Sequence, residues 1–206
     1  MKIAVLTAGR SGSTSLYHAC QHVKNFSSGH DTKEGALAVD RVKIADAHIE
    51  IDTRFAWMLG LLSEQNGDDV YYVLLTRKKD AIAMSYNRRW ANRKGIIRGY
   101  CEAVLQRDKP HEDIEVALDL VQTVEANIRV FLESRPHSVI RLENWSDDLT
   151  AFFAQIGAEV DLDAAKEAFA QRHNATKRVS WMVCLRYSLS RRIDALEALL
   201  KWRKGL

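Results

Sequence analysis

Residues 7–16, TAGRSGSTSL, gather two glycines, one arginine and five hydroxyl side chains into ten positions. Those residue types at that density suit the gripping of an anion. Gly9 and Gly12 let backbone approach a ligand closely, as no side chain stands in the way. Ser11, Ser13, Thr14 and Ser15 add hydroxyl donors, and Arg10 adds a permanent charge that can fork onto a pair of oxygens. A triphosphate-binding loop of the form G-x-x-x-x-G-K-[ST] would need a lysine after its second glycine. Here Ser13 follows Gly12, and a dinucleotide G-x-G-x-x-G is absent too. The plain alternative is a helix-capping turn whose Gly and Ser are incidental.

Such a loop works only if a strand delivers it and a helix leaves it, because the first helical N–H groups then point at one spot with the positive end of the helix behind them. Residues 2–7, KIAVLT, are apolar and read as a buried strand. Residues 8–13 read as loop, and 13–23 as a helix with Leu16, Ala19, Cys20 and Val23 on one face. NFSSG is expected to form a short strand ending at Gly29, and 30–42 has turn character. AHIEI (47–51) alternates and reads as a short strand. Asp52 or Thr53 is expected to cap a helix through FAWMLGLLSEQ, stopped by NGDD. VYYVLLT (70–76) is apolar on both faces, which places it inside a parallel sheet. Helices are expected at 80–92, 96–107 and 111–134, the last ended by Arg135–Pro136. A strand follows at 138–142, then helices at about 146–156 and 163–173 and an amphipathic tail at 189–204. Alternating strands and helices predict an α/β class with a central parallel β-sheet flanked by helices, organised as one domain over 1–206. Ligands of such sheets sit at the carboxyl ends of the strands. The chemistry is therefore expected at 8–15 and 77–90, after the two strongest strands.

The second of those regions reads TRKKDAIAMSYNRRW, with Arg77 at the strand end and Ser85 eight positions on. Together, GRSGSTSL and this Arg77–Ser85 spacing resemble the two nucleotide-binding motifs of sulfotransferases that use 3'-phosphoadenosine 5'-phosphosulfate (PAPS). The resemblance implies a fold similar to P-loop kinases and a first loop that holds one 5'-phosphate and the sulfuryl group. Gly9, Arg10, Ser11, Gly12, Ser13, Thr14 and Ser15 would form that loop, with Arg10 in place of the missing lysine. Arg77 and Ser85 would clasp the 3'-phosphate, and 3'-phosphoadenosine 5'-phosphate (PAP) would be the product. The segment SVIRLENWSDDLTAFFAQIGAEV is similar to a later strand–Glu–helix of the family, where Glu143 is structural. RHNATKRVSW falls where the family has a basic closing loop. Lys177 and Arg178 would reach a phosphate there, and Trp181 would stack on adenine, or the segment is a solvated basic turn. The triplet at Asn174 is discounted as a glycosylation site.

Sulfuryl transfer needs charge stabilisation on the bridging oxygen and a base for the acceptor's proton. Arg10, with the loop N–H groups and Ser13 or Thr14, suits the first task. In the tyrosylprotein sulfotransferases a Glu pair follows the loop helix, and here His30–Asp31 stands at the similar position. Asp31 aligns with the catalytic Glu, one methylene shorter, and His30 is the alternative base. Glu34, His48 and Glu50 are reserves, each also suited to a bland surface or capping role. Trp57, Trp90 and Tyr100 can stack on an acceptor ring or pack in the core.

Bulk properties agree with a globular enzyme. Hydrophobic residues make up 47% of the 206 and charged ones 28%, ample for a core and too patterned for disorder. The net charge of +3 is too small to argue for nucleic acid as a partner. Its clustering at 77–79, 88–98 and 177–178 suits a compact polyanion, or solvated helix faces. Cys20, Cys101 and Cys184 have no metal-ligand spacing and make no disulfide framework. No signal peptide or membrane span is read, so a cytoplasmic protein is expected, and the sulfotransferase resemblance implies that no metal is needed. Its partners would be PAPS and an acceptor hydroxyl or amine on a small molecule, glycan or peptide. The competing readings are a nucleotide or sugar kinase with a degenerate phosphate loop, and a non-catalytic PAP-binding module.

Overall fold

The computed structural model describes residues 1–92, 95–107 and 112–171. They fall into two compact units, one of 1–83 with 118–171 and one from the described part of 84–117.

The first unit is an α/β layer structure around five parallel strands: β1 (Lys2–Leu6), β2 (Ser27–His30), β3 (His48–Ile51), β4 (Val70–Thr76) and β5 (His137–Arg141). Their order is β2-β3-β1-β4-β5. Apolar content sets that order. β1 is the central strand, and Ile3, Ala4, Val5 and Leu6 are fully buried. Ser- and Gly-containing β2 is short and takes an edge, where little apolar area is required of it. The register pairs Val5 with Ile51 and with Val73, and Ile51 with His30. β4 runs on to Thr76, past the pairing of Leu6 with Leu74 at the end of β1.

The chain leaves β1 toward one side of the sheet and β4 toward the other. The crevice between their carboxyl ends is the switch point, where ligands of open parallel sheets bind. Both loops singled out from the sequence begin there, Ala8 onward after β1 and Arg77 after β4.

Strand alternation divides the core. Ile3, Val5, Ile49, Ile51, Val73, Leu75 and Ile140 pack with α1 (Ser13–Cys20), α6 (Trp145–Gln155) and α7 (Leu162–Ala170). Leu16, Phe152 and Phe169 are among the buried helix contributions. Each such side chain contributes about 1.5–3 kcal/mol. On the opposite face, Tyr72 meets the edge of Phe131 at 5.1 Å, on α5 (Ile114–Leu132). Trp145 stacks on Phe169 at 4.8 Å in the same core, and Val23, past the end of α1, bridges Val160.

Several helices are shorter than their hydrophobic patterns predict, each for a local reason. Asp52 makes a capping bond, its carboxylate accepting the backbone N–H of Arg54, but no α-helix follows directly. A 3₁₀ turn, Phe55–Trp57, follows, and α2 begins only at Leu59 (Leu59–Asn66). It stops at Gly67, with φ +65°, as the NGDD signal predicts.

In the second unit, the expected helix 80–92 ends at Asn87 as α3 (Lys79–Asn87), where Asn87 accepts the Trp90 indole N–H at 2.9 Å. The expected helix 96–107 is one turn, α4 (Ile96–Gly99), running into a π-turn, Tyr100–Val104. Asp113 caps α5 by accepting the N–H groups of Glu115 and Val116.

Cys20 and Cys101 are buried free thiols. No described helix is long and apolar enough to cross a membrane. Cys184, the basic segment with Lys177, Arg178 and Trp181, the Asn174 triplet and the expected tail helix lie outside the described residues.

Candidate functional site

The loop after β1 is wound tightly. Gly9, Arg10 and Gly12 all have left-handed backbone, with φ of +81°, +59° and +95°. Arginine in that region costs free energy that a merely connecting turn has no reason to hold. The turn is braced from within: the Gly9 N–H donates to Thr7 Oγ1 and the Ser11 hydroxyl donates to the Gly9 carbonyl, both at 3.1 Å. Thr7 and Ser11 are fully buried, so Ser11 offers a ligand its backbone and not its hydroxyl. Gly12 must be glycine twice over. Its φ is left-handed, and a Cβ there would lie 3.0 Å from Leu142 Cδ1.

α1 then starts at once, with the Leu16 N–H bonded to the Gly12 carbonyl at 2.9 Å. Ser13, Thr14 and Ser15 form its first turn and are all half-buried, as is Arg10. Ser15 turns away, its hydroxyl donating to the Gln171 carbonyl at 3.4 Å. Ser13 turns toward the end of β2.

There it meets the pair expected to supply the base. His30 lies on the α1 face of the sheet, half-buried, with Nε2 3.1 Å from Ser13 Oγ and its ring 5.8 Å from that of Tyr17. Its other nitrogen, Nδ1, faces Asp31 Oδ2 at 3.7 Å. Asp31 ends β2 with a φ of +54°, held by its N–H donating to the Ile51 carbonyl at 3.1 Å. Its Oδ1 is buried and accepts no hydrogen bond among the described residues. Burial pushes the Asp31 carboxyl above the usual carboxylate range. His30 works against that, Asp52 reinforces it, and Arg54 opposes it more weakly.

Asp52, read from the sequence only as a helix cap, is thus part of the site. It stands directly after β3, is fully buried, and is clasped by Arg54 at 2.8 and 2.6 Å. A carboxylate at the carboxyl end of an alternating strand, with Arg two positions on, was the available signal. The hydrogen bonds to Asp52 raise the Arg54 guanidinium's already high affinity for its proton.

His48 and Glu50 are instead partners of each other. The His48 Nε2–H donates to Glu50 Oε2 at 3.0 Å, and Thr32 donates both its N–H and its hydroxyl to the same carboxylate. Ser27 Oγ lies 2.7 Å from His48 Nδ1. Burial alone would push the Glu50 carboxyl up, but the His48 and Thr32 bonds outweigh it and hold it low. This is a brace between β2 and β3, on the sheet face opposite His30. Glu34 is exposed.

At the second loop, Arg77 follows Thr76 directly and is half-buried. The loop's path is set by Glu143, which accepts the Lys78 N–H at 2.9 Å, the structural part expected of it. Thr76 donates to Glu125 of α5 at 3.2 Å, and burial raises that carboxyl. Ser85 lies on α3, half-buried, in the portion that belongs to the second unit, as do Trp90 and Tyr100, which are buried.

The first unit therefore gathers Arg10, Ser13, Thr14, His30 and Asp31 around the carboxyl ends of β1, β3 and β2. Chemically, it is a glycine- and hydroxyl-rich turn at a helix N-terminus with a hydroxyl, an imidazole and a carboxylate in succession beside it. No family model matches the chain, and no curated protein matches it.

Proposed function

We propose that this chain is a PAPS-dependent sulfotransferase with a P-loop-like sulfotransferase fold, moving the sulfuryl group to an acceptor hydroxyl or amine. The observation that carries the reading is the 3.1 Å approach of His30 Nε2 to Ser13 Oγ. It sets the His30–Asp31 pair beside the very turn that resembles a phosphosulfate loop, although the two are seventeen positions apart. Support also comes from the sheet, whose order puts that turn and the Arg77 loop on adjacent strands at the switch point.

In this reading the turn N–H groups and the N-terminus of α1 hold the 5'-phosphosulfate, with Arg10 neutralising the bridging oxygen. Arg77, directly after β4, holds the 3'-phosphate. Asp31, with a part-exposed side chain and a raised proton affinity, takes the acceptor's proton as the oxygen–sulfur bond forms. The kinase alternative needs a strand-end carboxylate for Mg²⁺. Asp52 stands in that position but is already engaged by Arg54 through two hydrogen bonds. The non-catalytic module would bind PAP and turn nothing over.

Calorimetry with PAP, and transfer from ³⁵S-labelled PAPS to a panel of phenols, alcohols, amines and glycans, test the reading. Binding and label transfer are expected. Absence of PAP binding rejects the sulfotransferase, and binding without transfer to any acceptor favours the module.

A further inference from the structure

We propose that His30 is a proton-carrying link to the donor and not the base for the acceptor: donor binding draws a proton onto its imidazole through Ser13. This rests on the sulfotransferase reading.

Ser13, His30 and Asp31 share a small set of hydrogens. Ser13 has one hydroxyl hydrogen and His30 has two ring nitrogens, each able to donate or accept. In this proposal, with the loop empty, the 3.1 Å contact is assigned to Ser13 donating to Nε2, and the ring hydrogen is put on Nδ1, 3.7 Å from the Asp31 carboxylate. An anion in the turn changes that arrangement. A phosphosulfate oxygen accepts only, so the Ser13 hydrogen turns to it. Ser13 Oγ can then only accept from His30, which requires a hydrogen on Nε2. The carboxylate facing Nδ1 at 3.7 Å keeps the other hydrogen in place. Both nitrogens now donate, and the imidazole has become an imidazolium.

The surroundings favour that charge. Among the described residues, His30 is faced by the Ser13 hydroxyl and the Tyr17 ring from α1 and by the Asp31 carboxylate. Behind Asp31 stand Asp52 and Arg54, whose charges offset each other. The incoming donor adds further negative charge on the Ser13 side.

The division of labour balances the reaction. The acceptor oxygen or nitrogen bonds to sulfur, and the bond from sulfur to the 5'-phosphate oxygen breaks, its electron pair staying on PAP. The acceptor's proton goes to the part-exposed Asp31 carboxylate. The imidazolium stays protonated and polarises the Ser13 hydroxyl toward the departing phosphate, so His30 is a positioning residue that acts through Ser13.

The test is calorimetry of PAP binding near neutral pH in two buffers of different ionisation enthalpy. The difference in heat counts the protons taken up on binding. Wild-type protein is expected to take up more than His30→Gln by up to about one proton per PAP. Gln keeps a donor for Ser13 but cannot gain charge. Ser13→Ala, which cuts the link, is expected to match His30→Gln. Equal uptake in wild type and His30→Gln overturns the inference, as does full uptake in Ser13→Ala. If PAP binds with no buffer dependence in wild type, the inference falls and the sulfotransferase reading stands. If PAP does not bind at all, both fall.

Discussion

Ser13 and His30 lie 3.1 Å apart although β3 stands between the strands that carry them into place. Strands are about 4.8 Å apart, so the ends of β1 and β2 are separated by about two such spacings. The first turn of α1 spans that gap. A glycine- and hydroxyl-rich turn on the central strand is thereby joined to a His–Asp pair on the sheet's edge, which brings two distant stretches of chain together.

Arg10 is the fixed charge of the turn, half-buried beside the helix N-terminus. Arg10→Ala is expected to weaken PAP binding by about 1.5–3 kcal/mol, roughly ten- to a hundredfold, the worth of a charged hydrogen bond. Calorimetry measures it. The fold should be unaffected in circular dichroism, because any non-glycine residue at φ +59° bears a similar strain.

Asp31 trades stability for function. Its carboxyl binds a proton more tightly when folded than unfolded, chiefly through burial. A raised carboxyl favours the folded state in acid, and that contribution is lost as pH rises through the folded value. Asp31→Asn is therefore expected to raise the melting temperature at neutral pH. The advantage should shrink as pH falls through the raised folded value toward the ordinary carboxylate range. Transfer activity of the same variant should drop by about 10²–10⁴. Thermal unfolding across pH and the ³⁵S assay read the two effects separately.

Gly29 is packed flush against the Glu50 brace. A Cβ there would sit 2.6 Å from Thr32 Cγ2, 2.7 Å from Glu50 Oε2 and 3.1 Å from His48 Nε2. Thr32 is exposed, but its N–H and hydroxyl are both tied to the buried Glu50 carboxylate. Gly29→Ala should cost about 1–3 kcal/mol by urea unfolding, as overpacking does. A variant as stable as wild type would show that β2 can shift freely against β3.

Glu50 has the opposite pH signature from Asp31. Its folded carboxyl is held low by His48 and Thr32 despite burial, so it stabilises above the ordinary carboxylate range. That stability disappears as pH falls through the depressed folded value. Glu50→Gln is expected to lose about 1–3 kcal/mol at neutral pH, with the gap to wild type closing in acid. Urea unfolding at several pH values tests the sign.

The strands were legible because burial writes itself into composition. VYYVLLT and KIAVL are apolar on both faces, and only interior parallel strands need that. Helix ends were less legible, because they are decided by single competing bonds. The chain after Asp52 takes a 3₁₀ turn before α2, and α3 stops at Asn87, which accepts the Trp90 indole N–H, although the apolar pattern continues at both places. Within the site, the turn and the His30–Asp31 pair could be named from residue types. The separation of His30 from His48 could not. Both histidines stand in neighbouring strands beside acidic residues, and only the register, Ser27 with His48 and His30 with Ile51, turns one toward the brace and the other toward Ser13.

Local chemistry along the chain was enough to specify a glycine–hydroxyl turn between a buried strand and a helix, since its φ values and donors are properties of consecutive residues. Which carboxylate is paired, which is left with a bare oxygen, and which imidazole reaches the turn depend on strand order and pleat. Those are set by how the whole sheet buries its apolar faces, so residues distant along the chain become neighbours only once it has folded.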